Sequence, residues 1–270
     1  MNEPFQYSNE SFLHIEKWQK INPSLKAGFT TRKGGISKSP YHSLNFGFHV
    51  DDLAADVLEN RKILAQKLEI PLKDWVTGEQ VHHTEIKVID DRDRGKGSLT
   101  NLDALKGIDG LITNKKGVLC TAFFADCVPL FFYDPVTSYI GIAHAGWKGS
   151  VNRMAEKMVA RFQALGVNIS DLLVTIGPCI SMEQYEVDEV VASHIDYKLR
   201  GKVLIEKDNN RYLLNLKQLN VEILLQTGIL RHNIDVTNYC TYNDKDIFFS
   251  HRRDKGRTGR MLGFLGYIDS

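Results

Sequence analysis

A chain of 270 residues with 34 Lys plus Arg against 33 Asp plus Glu carries a formal net charge of +1, so no overall field draws it to nucleic acid or to an anionic membrane. Its 43% hydrophobic and 25% charged residues are those of a globular protein with a substantial core, and no charge-free apolar run approaches the ~20 residues needed to cross a bilayer. The N-terminal segment lacks the basic start and apolar core of a signal peptide, and Cys120, Cys127, Cys179 and Cys240 form no CxxC pair. Reduced thiols and a cytoplasmic protein are therefore expected.

Ala27 to Thr31 reads as a strand running into Arg32-Lys33-Gly34-Gly35, a turn whose backbone N–H groups could hold an anion or simply face solvent. Asp51 or Asp52 can cap a helix over about Leu53 to Glu69, stopped by Pro71. Trp75 to Ile89 contains an imperfectly alternating strand, with His82 and His83 just before it, and Gly107 to Thr113 is a further short strand.

The stretch from Cys120 to Ser150 is the most informative. Its two apolar runs, Val128 to Tyr133 and Ser138 to Ala143, flank Asp134-Pro135-Val136-Thr137, which predicts a β-hairpin with a type I turn. Pairing Asp134 with Thr137 would set Cys127 directly across from His144, with Cβ atoms about 5 Å apart. Asp126 before Cys127 and Pro129 after it interrupt an otherwise buried strand, a mark of a site. After His144, Ser150 is the expected N-cap of a helix carrying Val151, Met154, Met158 and Phe162 on one face, with Lys148 beside an anion-accepting helix start.

Further along, Leu172 to Ile176 is a buried-type strand, and Glu183 to Val191 begins a helix. A second helix runs from Leu213 to Gln226 and is ended by Gly228, before a strand over Asp235 to Thr241. The cations Arg252, Arg253, Lys255, Arg257 and Arg260 could contact phosphate or form a solvated turn before a final strand. Strands and helices mix without strict alternation, predicting an α/β (α+β) layered fold with central mixed sheets flanked by helices. With no linker or repeat, one domain over residues 1–270 is expected.

Joined by His82, the Cys127 and His144 side chains would offer two imidazoles and a thiolate, a set that zinc favours, with a fourth position left for water or substrate. Without metal, Cys127 and His144 could instead act as nucleophile and base. Nine histidines with no His-x-His pair do not support a multicopper electron-transfer chain, although a His2Cys set also binds copper.

GFTTRKGG, SLNFGFHVDD, EQVH, ADCVPLFFYD, IAHAGWKGS, IGPCI with the later YEV, and FFSHRRDKGRTGRM together resemble the YfiH/YlmD family, nearest its YlmD branch, over nearly the whole chain. The resemblance implies a single α/β domain related to deamidating toxins and zinc held by His82, Cys127 and His144. It also implies phosphorolysis of purine nucleosides (adenosine, inosine, methylthioadenosine) to base and ribose 1-phosphate, together with adenosine deamination. In that setting Asp126 would move protons, Lys148, Arg32 or Arg61 would hold phosphate, and Asn45 and Gln80 would touch ribose or base. Partners would be small molecules, with no nucleic acid and no membrane; the oligomeric state is left open. The alternatives are a Cys127/His144 amidohydrolase acting on a peptidoglycan precursor and a copper-binding polyphenol oxidoreductase.

Overall fold

The computed structural model describes residues 3–268. In chain order these form β1 (Phe5–Asn9), β2 (Phe12–Ile15), α1 (Glu16–Ile21), β3 (Leu25–Thr30), α2 (Ala54–Leu68), β4 (Trp75–Thr77), β5 (Ile86–Val88), β6 (Gly110–Thr113) and β7 (Leu119–Phe124). There follow β8 (Val128–Tyr133), β9 (Ile140–Ala145), α3 (Trp147–Val151), α4 (Met154–Ala164), β10 (Leu173–Ile176), β11 (Glu186–Asp188), α5 (Glu189–Ser193) and α6 (Tyr197–Val203). The last are β12 (Leu204–Lys207), β13 (Arg211–Leu214), α7 (Leu216–Gln226), β14 (Ile234–Val236) and β15 (Met261–Tyr267).

Two six-stranded sheets, ordered β1-β2-β3-β15-β7-β4 and β14-β10-β8-β9-β6-β5, form the centre, with a small β11-β13-β12 sheet beside them. Both large sheets are mixed, since β4 joins β7, β5 joins β6 and β14 joins β10 in parallel while their other pairs are antiparallel. Side-chain alternation divides the core into layers. On β7, Leu119 and Phe123 pack with Leu64 and Leu68 of α2, while Cys120, Ala122 and Phe124 face the second sheet. On β8 and β9, Phe131, Tyr133, Ile140 and Ile142 meet that inter-sheet layer, and Leu130, Phe132, Ala143 and Ala145 meet α4 and α7 on the far side. The result is helix, sheet, sheet and helix in succession, the layered α+β class that the mixed order of elements predicts.

Local chemistry moves several boundaries. Helix α2 starts at Ala54 with no side-chain cap, because its N-cap is Leu53, which has no acceptor; Asp52, one residue earlier, accepts the Leu53 N–H at 2.9 Å. It ends at Leu68 as Glu69 turns left-handed, with φ of 60°. The alternating strand expected just after His82 and His83 is β5; β4, earlier in the same stretch, lies in the other large sheet, and the loop between them crosses from one to the other. Ser150 is not an N-cap either. Gly146 holds that position, α3 begins at Trp147, and the left-handed Arg153 separates it from α4. The Glu183 segment makes a short 3-10 turn, then β11 and α5; Leu213 belongs to β13, and Asn215 caps α7 by accepting the Gln218 N–H at 2.9 Å.

The hairpin forms in a register different from the one expected. Asp134 pairs with Tyr139, whose carbonyl accepts the Asp134 N–H at 2.9 Å, and the Asp134 side chain accepts the N–H groups of Val136 and Thr137 and the Thr137 hydroxyl. With Ser138 left-handed, the loop is two residues longer than a tight type I turn. His144 therefore lies opposite Pro129 rather than Cys127. A slip of one would have turned every side chain over; a slip of two keeps each on its face, so Cys127 and His144 still meet.

Candidate metal centre and its cavity

His82, Cys127 and His144 come from three separate places. His144 is near the end of β9, Cys127 follows the sharp turn at Asp126 (φ 83°) between β7 and β8, and His82 sits in the loop between β4 and β5, itself left-handed at φ 61°. One ligand atom from each lies within 4.8 Å of the other two, and the residues grade from exposed His82 through half-buried Cys127 to buried His144. The imidazole rings of His82 and His144 meet edge to face, 4.7 Å between centroids, and Phe124 closes the inner side of His144 at 5.6 Å. Three soft or borderline donors this close, open on one side, fit a divalent ion with a free coordination position. His83, next in the chain, is not one of the three.

The electrostatics are those of a site arranged for thiolate. Burial alone would raise the Cys127 thiol, but the imidazoles of His144 and His82 outweigh it and bring it down to about 6. Burial would likewise lower His144, yet the Cys127 sulfur and the Asp109 carboxylate take it up to about 9. Each member of the pair therefore favours the charged form of the other.

Asp109 is the residue that sequence reasoning missed. Its side chain fully buried just before β6, it accepts His144 Nδ1 at 2.8 Å and the backbone N–H groups of Val81, His82 and His83 at 3.1, 3.2 and 2.9 Å. These bonds hold its own pKa down against the opposing effect of burial. An aspartate between Ile108 and Gly110, just before an apolar strand, was the available signal, but it is indistinguishable from a turn residue without its partners. Gly146 is a second. A Cβ there would stand 2.9 Å from Cys127 Sγ and 3.2 Å from His82 Cδ2, so only glycine leaves room for both ligands.

The three residues form one wall of a cavity of about 590 Å³. Phe123, Trp147, Tyr185 and Leu216 give it apolar and aromatic surface, and Arg252 and Arg260 give it positive charge beside His49 and His251, whose imidazoles burial and the nearby Arg260 push toward the neutral form. Arg260 is held by its backbone N–H on Asn45 Oδ1 at 2.8 Å and by Nη1 on the carbonyls of Thr258 and Gly259 at 2.8 and 3.1 Å. Arg252 lies over the Tyr185 ring at 4.9 Å and donates one nitrogen to the Glu186 carbonyl at 2.9 Å. Of the cationic tail, these two line the cavity.

Other expected site residues are elsewhere or already engaged. Arg61 is buried outside the cavity lining, donates to the carbonyls of Phe46, Gly97 and Ser98, and lies between the rings of Phe48 and Phe123. Arg32 binds the carbonyls of His42 and Lys245 and covers Phe249. Lys148 is exposed outside the cavity, its ammonium 5.7 Å from the Trp147 ring. Asn45 is buried and binds Gly47, Asp52 and Arg260 instead of facing the cavity. Gln80 lines the cavity, but its carboxamide is used on both backbone groups of Phe123, at 2.9 and 2.7 Å. Asp126 also lines it, with one carboxylate oxygen accepting the Thr241 hydroxyl at 2.6 Å and the other accepting Ser250 and the Arg252 N–H at 3.0 and 2.7 Å.

A family model described as "Multi-copper polyphenol oxidoreductase laccase" matches residues 26–268. The chain is 43% identical over 269 residues to a Bacillus subtilis protein named purine nucleoside phosphorylase YlmD, covering 97% of each. It is 34% identical to a purine nucleoside phosphorylase of Staphylococcus saprophyticus, over 94% of this chain and 95% of that one. Among solved structures, YfiH of Bacillus licheniformis superposes with a TM-score of 0.95 at 41% identity, over 98% of this chain and 100% of that one. YlmD of Geobacillus stearothermophilus does so with a TM-score of 0.93 at 39% identity, over 99% and 100%. With sequence and fold both matched over nearly the whole chain, it belongs to the YfiH/YlmD family, the group that the laccase-domain model describes.

Proposed function

We propose that this protein is a cytoplasmic, single-domain purine nucleoside enzyme that uses zinc at His82, Cys127 and His144. It would cleave adenosine, inosine and methylthioadenosine with phosphate, and deaminate adenosine. The observation that carries this is one cavity joining a His2Cys donor set, aromatic walls and two arginines. The names of the relatives point the same way. Aromatic surface suits a purine ring, and arginine suits phosphate oxygens. A zinc ion bound there supplies Lewis acidity, polarising an oxygen of water or substrate. In phosphorolysis, a phosphate oxygen forms the new bond to ribose C1′ as the bond from C1′ to the purine nitrogen breaks and the base leaves with a proton. In deamination, water adds at C6 of adenine and ammonia departs.

Arg260 and Arg252 take the phosphate role in place of Arg32, Arg61 and Lys148, because they are the arginines on the cavity wall with guanidinium nitrogens not used on carbonyls. Arg260→Gln should raise the KM for phosphate by about tenfold or more while leaving the KM for nucleoside within about twofold, a split that steady-state kinetics measures. The test of the activity itself is product analysis with adenosine and phosphate, with and without zinc. Adenine with ribose 1-phosphate, and inosine, are expected; the appearance of neither overturns the proposal.

One observation favours a second reading. Cys127, His144 and Asp109 line up as nucleophile, base and orienting carboxylate, the arrangement of a cysteine amidohydrolase. His82→Ala separates the two: it should abolish the zinc-dependent reaction, whereas a Cys127/His144 hydrolase would keep measurable activity without His82 and survive chelation. Copper at the same three residues would give a single-ion site, and the described residues contain no second cluster of histidine, cysteine and carboxylate ligands for a copper chain.

A further inference from the structure

We infer that Asp109 is the positioning residue that assembles the metal centre, fixing both histidine ligands with one carboxylate. This deepens the zinc reading above and rests on it. Oδ1 accepts His144 Nδ1 at 2.8 Å and the His82 N–H at 3.2 Å; Oδ2 accepts the N–H groups of Val81 and His83 at 3.1 and 2.9 Å. An ionised carboxylate only accepts, so the proton of the bond to His144 is on Nδ1. Nε2 is then the nitrogen left for Cys127 and a metal.

The same group holds three consecutive N–H donors of the loop that carries His82, including His82 itself in its left-handed conformation. That loop also lines the cavity from Gly78 to His82. The backbone is locked in return, since the Asp109 carbonyl accepts the His144 N–H at 2.8 Å and its N–H binds the Glu85 carbonyl at 3.0 Å. Asp109 therefore ties β6, β9 and the loop before β5 at one buried point. It is not part of the cavity lining; it acts through the His144 imidazole and through the backbone that carries His82.

Asparagine is nearly the same shape and cannot do this. If its NH2 replaces Oδ2, it confronts the N–H groups of Val81 and His83. If it replaces Oδ1, it confronts the His82 N–H and donates to His144 Nδ1, which moves the imidazole proton to Nε2 and blocks the ligand position. Either way at least one histidine ligand is released.

The test is zinc affinity, measured by competition with a chromogenic chelator on the full chain and on Asp109→Asn, with circular dichroism in excess chelator to check folding. Asp109→Asn should bind zinc about 10- to 100-fold more weakly, the range for loss of a carboxylate that orients a ligating histidine. Affinity within about twofold of the unchanged protein would overturn the inference while leaving the zinc site standing. Failure of the unchanged protein to bind zinc would overturn the zinc reading and this inference with it. Should the variant not fold, long-range proton–nitrogen NMR of the unchanged protein decides: His144 should carry a slowly exchanging proton on Nδ1, and an unprotonated Nδ1 overturns the assignment.

Discussion

Cys127 has a thiol surrounded by groups that favour its charged form, and its chemistry follows from that. In metal-free protein the thiolate persists down to about 6, because His144 and His82 overcome burial. Its alkylation by iodoacetamide should therefore be nearly independent of pH between about 7 and 8, and fall about tenfold per unit well below pH 6. An ordinary thiol, with a pKa of about 8.5, would still be gaining reactivity through that interval. Zinc should suppress the reaction. A rate that rises steeply from pH 7 to 8 would contradict the imidazole contacts.

Arg61 illustrates the opposite use of a charged residue. Burial draws its pKa down to about 9, and its nitrogens serve three backbone carbonyls, so it is part of the core. Arg61→Met would leave the carbonyls of Phe46, Gly97 and Ser98 without these donors, costing about 3 kcal/mol or more in chemical denaturation. The phosphate KM of the folded fraction should not change, which distinguishes it from Arg260.

At the scale of elements, the start of α3 and the end of β9 meet at Gly146. Helix α3 can begin so close to the metal ligands because its N-cap has no side chain to place between Cys127 and His82. Gly146→Ala should leave the fold intact by circular dichroism but weaken zinc binding in the same chelator competition. Zinc affinity equal to that of the unchanged protein would mean that the loop bearing His82 yields easily, contrary to its three bonds to Asp109. The β8–β9 hairpin shows why face matters more than pairing partner: a loop two residues longer than expected moved Cys127 off His144 in the ladder and left both on the inter-sheet side.

For the molecule as a whole, Asp126 links parts of the chain far apart in sequence. Its carboxylate receives Thr241, Ser250 and Arg252, and its carbonyl receives the Ile180 N–H at 3.1 Å. Asp126→Ala should therefore destabilise the protein by about 2–4 kcal/mol, by analogy with other buried hydrogen-bonded carboxylates, and raise the phosphate KM through loss of the Arg252 anchor. Unchanged stability would mean these segments are held by other contacts. No helix of the described residues is long and apolar enough to cross a membrane.

Hydrophobic periodicity along the chain determined α2, α4, α7, β8 and most of β9, because an apolar face has to be buried whatever its partner. Glycine, proline and the Asp134 cluster marked turns for the same local reason. The proximity of Cys127 and His144 was legible because a hairpin is a short-range structure, and the motif resemblance added His82. Which cations face the cavity was decided only by tertiary structure: Arg61 and Arg260 are equally basic in sequence, and burial between α2 and the first sheet assigns one to the core. Asp109 was decided the same way, since its four donors come from segments 26 to 35 residues away and no local pattern records where a carboxylate will find them.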